Sequence, residues 1–188
     1  MKGKEVEIKL AVPAVREIRR KLRQRGFRVC EPRHLEQNTL FDTPQEKLRR
    51  LGLMLRLRVA NGRALLTLKG RAHASRHYKI RTEAETAVAS ARAARAILGG
   101  LGYAPAFRYE KYRTGFARGR EPGAVVLDET PMGTFLELEG PPHWIRRVAR
   151  ALGRPPGDFL TATYAELYQT WRRRHGGSAR AMVFRRSS

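Results

Sequence analysis

Charged and apolar residues alternate from Lys4 to Leu10, with Glu5, Glu7 and Lys9 on one parity and Val6, Ile8 and Leu10 on the other, which predicts a half-buried strand. Pro13 stands where a first helical turn tolerates it. Val15, Ile18 and Leu22 then recur at helical spacing until Gly26, so a helix is expected from Pro13 to Arg25. Strand resumes over Arg33–Phe41, and Thr43-Pro44 opens a short helix through Lys47 and Leu48 that ends at Gly52. Asn61-Gly62, the dipeptide best suited to a two-residue hairpin turn, joins strands over Leu53–Val59 and Ala64–Lys69, and a further strand covers Tyr78–Val88. The alanine-rich stretch Ser90–Leu101 reads as helix, capped by Ser90 and stopped by Gly102. Strands follow at Arg108–Ala117, Ala124–Asp128 and Thr134–Glu139. Pro141 and Pro142 open a helix with Trp144, Ile145, Val148 and Leu152 on one face, and a last helix runs from Thr163 to Arg173.

The same parity carries charge on strand after strand. Arg56 and Arg58 alternate with leucines, Lys69 lies opposite Leu66 and Leu68, Glu83 and Glu85 flank Ala84, Lys111 and Arg113 flank Tyr112, and Glu137 and Glu139 flank Leu138. Asp128 closes its strand after Leu127. One such strand is a solvated sheet face with cross-strand ion pairs. Repetition over seven or eight strands, with helices available to cover the apolar face, points instead to a sheet closed on itself with its charges inside. Charges packed out of bulk water cost several kcal/mol per ion unless they are paired or coordinate a metal, so such a lumen implies a ligand. Carboxylates suit hard Mg²⁺ or Mn²⁺ and Arg and Lys suit phosphate oxygens; both signs together predict a metal-bound polyphosphate.

Composition sharpens this picture. Lys and Arg outnumber Asp and Glu by 39 to 17, which predicts attraction to polyanions through the basic surface. Seven of those 17 acids nevertheless sit on the charged strand parity, and carboxylates without metal repel phosphate, so a purely nucleic-acid-binding or polyphosphate-binding module is the lesser alternative. At 188 residues the chain suits one domain, expected over residues 1–174. The remainder to 188 belongs to a segment with six arginines and no acid after Trp171, split by Gly176-Gly177, and reads as a mobile basic tail. The sequence has no 18-residue apolar run and no apolar signal segment, so a membrane partner is not expected and the cytoplasm is the default compartment. A single cysteine, Cys30, rules out an intrachain disulfide and reads as an ordinary half-buried residue.

Glu5-x-Glu7-x-Lys9 resembles the E-x-E-x-K signature of the CYTH superfamily, the triphosphate tunnel metalloenzymes, and the resemblance continues in order through Asn38–Pro44, Leu55–Arg58, Leu66–Gly70, Arg81–Glu85, Glu110–Thr114 and Leu127–Gly140. It implies an α+β fold, an eight-stranded antiparallel β-barrel with flanking helices. It also implies metal ligation (Mg²⁺ or Mn²⁺) by Glu5, Glu7, Asp128, Glu137 and Glu139, and a triphosphate gripped by Lys9, Arg56, Arg58, Lys69, Lys111 and Arg113. Catalytic roles fall to Glu5, Glu7 and Lys9, together with Glu83 and Glu85, which orient the bases or bind metal. Family members include thiamine, inorganic and nucleoside triphosphatases as well as class IV adenylyl cyclases. The lack of a nucleoside-reading constellation places hydrolysis ahead of cyclisation of ATP to cyclic AMP and pyrophosphate. "LFDTP" and "LDETPMGTFLELEG", which look closer to the cyclase-like bacterial branch, keep cyclisation as the alternative. Monomer and homodimer both stay open.

Other motifs carry less. His73 and His77 have metal-binding helical spacing but fall between strands with no nearby glutamate of the H-E-x-x-H type, and no P-loop stretch is present. Tyr109, Tyr112 and Phe116 read as packing residues.

Overall fold

The computed structural model describes residues 2–73, 75 and 77–185. Eight strands run β1 (Lys2–Ala11), β2 (Arg28–Asp42), β3 (Met54–Ala60), β4 (Arg63–Lys69), β5 (Lys79–Val88), β6 (Ala104–Ala117), β7 (Ala124–Thr130) and β8 (Gly133–Glu139). They pair in the order β2-β3-β4-β5-β1-β8-β7-β6, and β6 returns to β2, so the sheet closes. Every pairing among these eight is antiparallel, the barrel that the charge alternation implies.

Helices α1 (Val15–Gln24), α3 (Ala91–Gly100) and α4 (Pro142–Ala151) cover the outside, α2 (Lys47–Arg50) is a single turn, and α5 (Tyr164–His175) follows a short 3-10 turn at Pro156–Asp158. The apolar parity of β1, β7 and β8 supplies Ile8, Leu10, Leu127, Leu136 and Leu138 to a core completed by Ile18 and Leu22 of α1 and by Trp144, Ile145 and Val148 of α4. On the opposite wall Ala94 and Leu98 of α3 pack on Phe41, Leu57 and Ala64. Each helix buries the stripe that its sequence period shows, which is why the other strand parity is left to face inward.

Local chemistry explains the boundaries. Asn61 and Gly62 both take positive φ, 49° and 72°, as a two-residue hairpin turn that follows the strand twist requires. Ser90 accepts a hydrogen bond from the Ala93 amide, and Thr163 with Glu166 forms a full capping box at the start of α5. Asp42, at the end of β2, accepts from the amides of Thr43, Leu48 and Arg49 and so fixes α2. Two strands begin a full four or five residues earlier than alternation predicts. β2 starts at Arg28 because Arg28–Glu31 pair with β6 through register shifts, and a bulged strand loses its two-residue period. β6 starts at Ala104 because Pro105 lies at a strand beginning, where its missing N–H is tolerated.

The end of the chain departs from the expected mobile tail. Ala181–Met182 forms a ninth strand, β9, parallel to Arg108 and Tyr109 of β6. β7 occupies β6 only over residues 112–116, so the adjoining edge at 108–109 is free to accept another strand. Met182 is 1% exposed among Phe107, Tyr109, Phe135, Tyr164 and Tyr168, an apolar anchor that an arginine-rich composition conceals. Cys30 is exposed, not half-buried, because it lies in the bulged start of β2. His73 bridges Ile80 in extended backbone, so the two histidines do not share a helix face. Among the described residues no helix is long and apolar enough to cross a membrane.

Candidate functional site: a charge-lined lumen

The inward parity encloses a cavity of about 230 Å³ whose wall carries the cations Lys9, Arg56, Arg58, Lys69, Lys79, Lys111 and Arg113. The carboxylates on the same wall are Glu5, Glu7, Glu83, Glu85, Glu137 and Glu139. Register brings opposite charges together: Lys9 lies opposite Glu137, Glu7 opposite Lys79, Lys69 opposite Glu83, Lys111 opposite Glu36 and Arg113 opposite Asp128. At one end the lumen meets Tyr109, Thr163 and Tyr164, backed by the aromatic cluster around Tyr168. Glu139, at the other end, is open to solvent.

Most of these groups form one chain of alternating sign around the wall. Lys79 holds Glu7 at 3.0 Å, Lys9 bridges Glu7 and Glu137 at 3.2 Å each, and Arg113 donates to Glu137 at 2.6 Å. Arg113 also grips both oxygens of Asp128, at 2.7 and 2.6 Å, and Lys111 shares that carboxylate at 2.7 Å. From Lys111 the chain passes to Glu36 at 3.4 Å, to Arg58 at 3.4 Å and to Glu85 at 3.2 Å. Thr67 donates to Glu85 as well. Near the open end Lys69 forms a separate group with Glu5 at 2.6 Å and Glu83 at 3.3 Å.

Burial and pairing set the protonation states. Burial alone would discharge Lys9, yet Glu137 and Glu7 outweigh it and hold the ammonium well above its usual range. Burial likewise opposes the charge on Glu137, but Lys9, Lys111 and Arg113 keep its carboxyl far below the ordinary value. Glu36 falls to about 2 because Lys111 and the surrounding arginines overcome its desolvation. Lys79 moves the other way, down to about 8, since burial and the nearby Lys9 and Arg81 exceed the attraction of Glu7.

Glu139 differs from the rest. It has no ion-pair partner among the described residues, and partial burial with Glu5, Glu7 and Glu83 close by pushes its carboxyl up to about 7. Glu5 is raised as well, by burial and by Glu7 and Glu83, despite Lys69. Negative charge is therefore in excess at this end of the lumen. Among the described residues no three His, Cys, Asp or Glu side chains already converge as a metal site. The donor set still fits a hard divalent cation: Glu5, Glu7 and Glu139 are all-oxygen ligands, they crowd one another, and one lacks a counterion.

The structure brings together all but one of the residues singled out in the sequence. Asp128 is 0% exposed and lies off the cavity wall, with its oxygens engaged by Lys111, Arg113 and the Tyr164 hydroxyl at 2.8 Å. Placed there it fixes two lumen-facing cations and lies behind them, in contrast to the ligand role the resemblance implies. Glu137 is engaged by Lys9 and Arg113, as Glu7 is by Lys9 and Lys79. Glu85 anchors Arg58, which suits orientation of the bases better than ligation. Sequence reasoning missed Glu36, Lys79, Thr163 and Tyr164. Lys79 shares parity with Glu83 and Glu85 and could have been found from it, whereas Glu36 is hidden because β2 is polar on both parities. The helix-borne Tyr164 carries no strand signal.

A family model described as the CYTH domain matches residues 3–153. Among solved structures, a Vibrio parahaemolyticus protein provisionally assigned as an adenylate cyclase is similar at 22% identity, with a TM-score of 0.77 over 90% of this chain and 99% of that one. A Pyrococcus horikoshii protein is similar at 24% identity, with a TM-score of 0.76 over 88% of this chain and 98% of that one. A Hippeastrum protein, provisionally an adenylyl cyclase and described as having a dominant triphosphatase activity, is similar at 21% identity, with a TM-score of 0.63 over 88% of this chain and 95% of that one. No curated protein matches the sequence. At these identities the structural likeness establishes the fold.

Proposed function

This chain belongs to the CYTH family, and from that premise we propose that it is a divalent-metal-dependent hydrolase of a triphosphate held inside the barrel. The observation that carries the reading is a lumen that combines cations each anchored by a carboxylate, Arg56, Arg58, Lys111 and Arg113, with the mutually repelling carboxylates Glu5, Glu7 and Glu139 toward the open end. A cavity of about 230 Å³ lies below the roughly 300–1,000 Å³ of pockets that enclose drug-sized ligands, which suits the compact triphosphate and leaves any organic group at the mouth.

Glu5, Glu7 and Glu139 would hold Mg²⁺ or Mn²⁺, which when bound neutralises phosphate charge and lowers the pKa of water for in-line attack. The remaining work belongs to the chain's own cations. Arg56 and Arg58, tethered by Glu85, and Lys111 and Arg113, tethered by Asp128, present fixed N–H donors to phosphate oxygens and oppose the charge that builds on the transferred group. Their carboxylate tethers pre-orient them before substrate arrives, so little reorganisation accompanies binding. The dominant triphosphatase activity attributed to the similar Hippeastrum protein agrees with this reading.

A product assay with Mg²⁺ or Mn²⁺ on tripolyphosphate, thiamine triphosphate and ATP tests it, resolving phosphate, pyrophosphate and cyclic AMP. Phosphate release without cyclic AMP is expected. Cyclic AMP with stoichiometric pyrophosphate would make the protein a cyclase instead, and no product from any substrate would make the lumen a binding site.

A further inference from the structure

The seven cations of the lumen face eight carboxylates, six on the cavity wall plus the buried Glu36 and Asp128, so the interior is close to neutral. Essentially the whole surplus of +22 therefore lies on the exterior. The family site does not use it.

A share of that charge lies on the helices α1 and α4. Arg16, Arg20 and Arg23 recur at i, i+4 and i+7 and form an exposed stripe along α1. Arg146, Arg147 and Arg150 are exposed on α4, which packs beside α1 on the same core. Hydrogen bonds tie the two together: Arg25 donates to the Ala151 carbonyl at 3.0 Å, and Arg118, from the β6–β7 connection, donates to the Arg25 carbonyl at 2.9 Å. The acids here are already matched, Glu17 by Lys21 at 2.8 Å and Glu121 by Arg118 at 2.7 Å and Arg147 at 3.0 Å. Arg16, Arg20, Arg23 and Arg150 have no ion-pair partner among the described residues. Clustered like charges repel one another and raise the free energy of the free protein, and a polyanion relieves this.

We propose that the α1–α4 face binds the phosphodiester backbone of nucleic acid, without sequence preference and independently of the lumen. Arginine's planar fork suits phosphate oxygens better than a lysine would, and arginine supplies every unpaired cation of the stripe. The ten residues of α1 span about 15 Å, along which a duplex presents roughly nine phosphate charges. The contacts are made by side chains spread along the helix and need no groove insertion.

The test is binding of the full chain to a short labelled DNA duplex, titrated between about 50 and 200 mM salt. The triple variant Arg20→Gln, Arg23→Gln, Arg150→Gln should weaken binding at least about tenfold and lower the salt slope by up to about 2.7, since each phosphate contact contributes about 0.9. Its turnover of tripolyphosphate should match the parent, and tripolyphosphate at the low concentrations that fill the lumen should leave the duplex bound. Unchanged affinity and slope in that variant would overturn the proposal. So would an equal loss in a control carrying Arg172→Gln, Arg173→Gln and Arg174→Gln, which would mean diffuse charge, or duplex displacement that tracks filling of the lumen.

Discussion

Asp128 provides the sharpest test of how the lumen is held together. Its carboxylate is fully buried and compensates two cations, Lys111, itself 2% exposed, and Arg113. In Asp128→Ala, Lys111 keeps only Glu36, at 3.4 Å, and Arg113 keeps Glu137, with Glu36 at 4.0 Å. Breaking a buried pair from one side costs about 3–5 kcal/mol because the stranded charge stays out of water. Against a typical total of about 5–15 kcal/mol that is a large fraction, and with a urea slope near 2 kcal/mol/M it moves the midpoint down by about 1.5–2.5 M. The neighbouring Glu129 pairs with Arg33 in a half-exposed bridge, so Glu129→Ala should cost less than about 1 kcal/mol. Urea unfolding of both variants in metal-free buffer is the assay. The metal-free condition separates the structural role from a ligand role, which would act only when metal is added. A second change, Lys111→Met in the Asp128→Ala background, should recover part of the loss by removing the stranded ammonium. If Asp128→Ala costs no more than Glu129→Ala, Asp128 does not anchor these cations and the account of a pre-oriented phosphate wall fails.

Other consequences are checked more briefly. Glu139 is raised to about 7 in the folded chain against an ordinary 4.5, so the folded state binds more protons between those values. Stability should then fall as pH rises from about 4.5 to 7, and Glu139→Gln should flatten that window in thermal unfolding at stepped pH. Glu36, depressed to about 2, has the opposite sign: its contribution is complete above 4.5 and lost as pH falls towards 2, and Glu36→Gln should remove that acid-limb dependence. Loss of outer-shell support typically costs about 10–100-fold in activity, so Glu139→Ala, which removes a direct ligand in the proposed reading, should reduce metal-dependent turnover by more than about 100-fold while circular dichroism is unchanged. Met182→Ala should destabilise the chain by about 2–5 kcal/mol in denaturant melts, and a neutral result would mean that β9 does not anchor the aromatic end of the lumen.

Much of this was written in the order of residues. The parity of Glu5, Glu7 and Lys9, repeated at Arg56, Lys69, Glu83, Lys111 and Glu137, determined both the strands and the face their charges would share, because side chains on a strand alternate with a period of two whatever the tertiary context. The hairpin at Asn61-Gly62 and the cap at Ser90 were equally local, since backbone conformation and amide satisfaction depend on a few neighbouring residues. Which charges would meet was not local. Asp128 shares the strand pattern of the other acids, but the pairing of β7 with β6 and the docking of Tyr164 turned it into a buried anchor for Lys111 and Arg113 instead of leaving it on the cavity wall. Glu36 joined the lumen through register with Lys111, and Met182 turned a basic terminal segment into a strand because β6 had an edge to offer and the aromatic cluster an apolar site to fill. Pair energies fall off over a few ångströms and depend on burial, so the protonation states of Glu139, Glu36 and Lys79 were decided only once distant strands stood side by side.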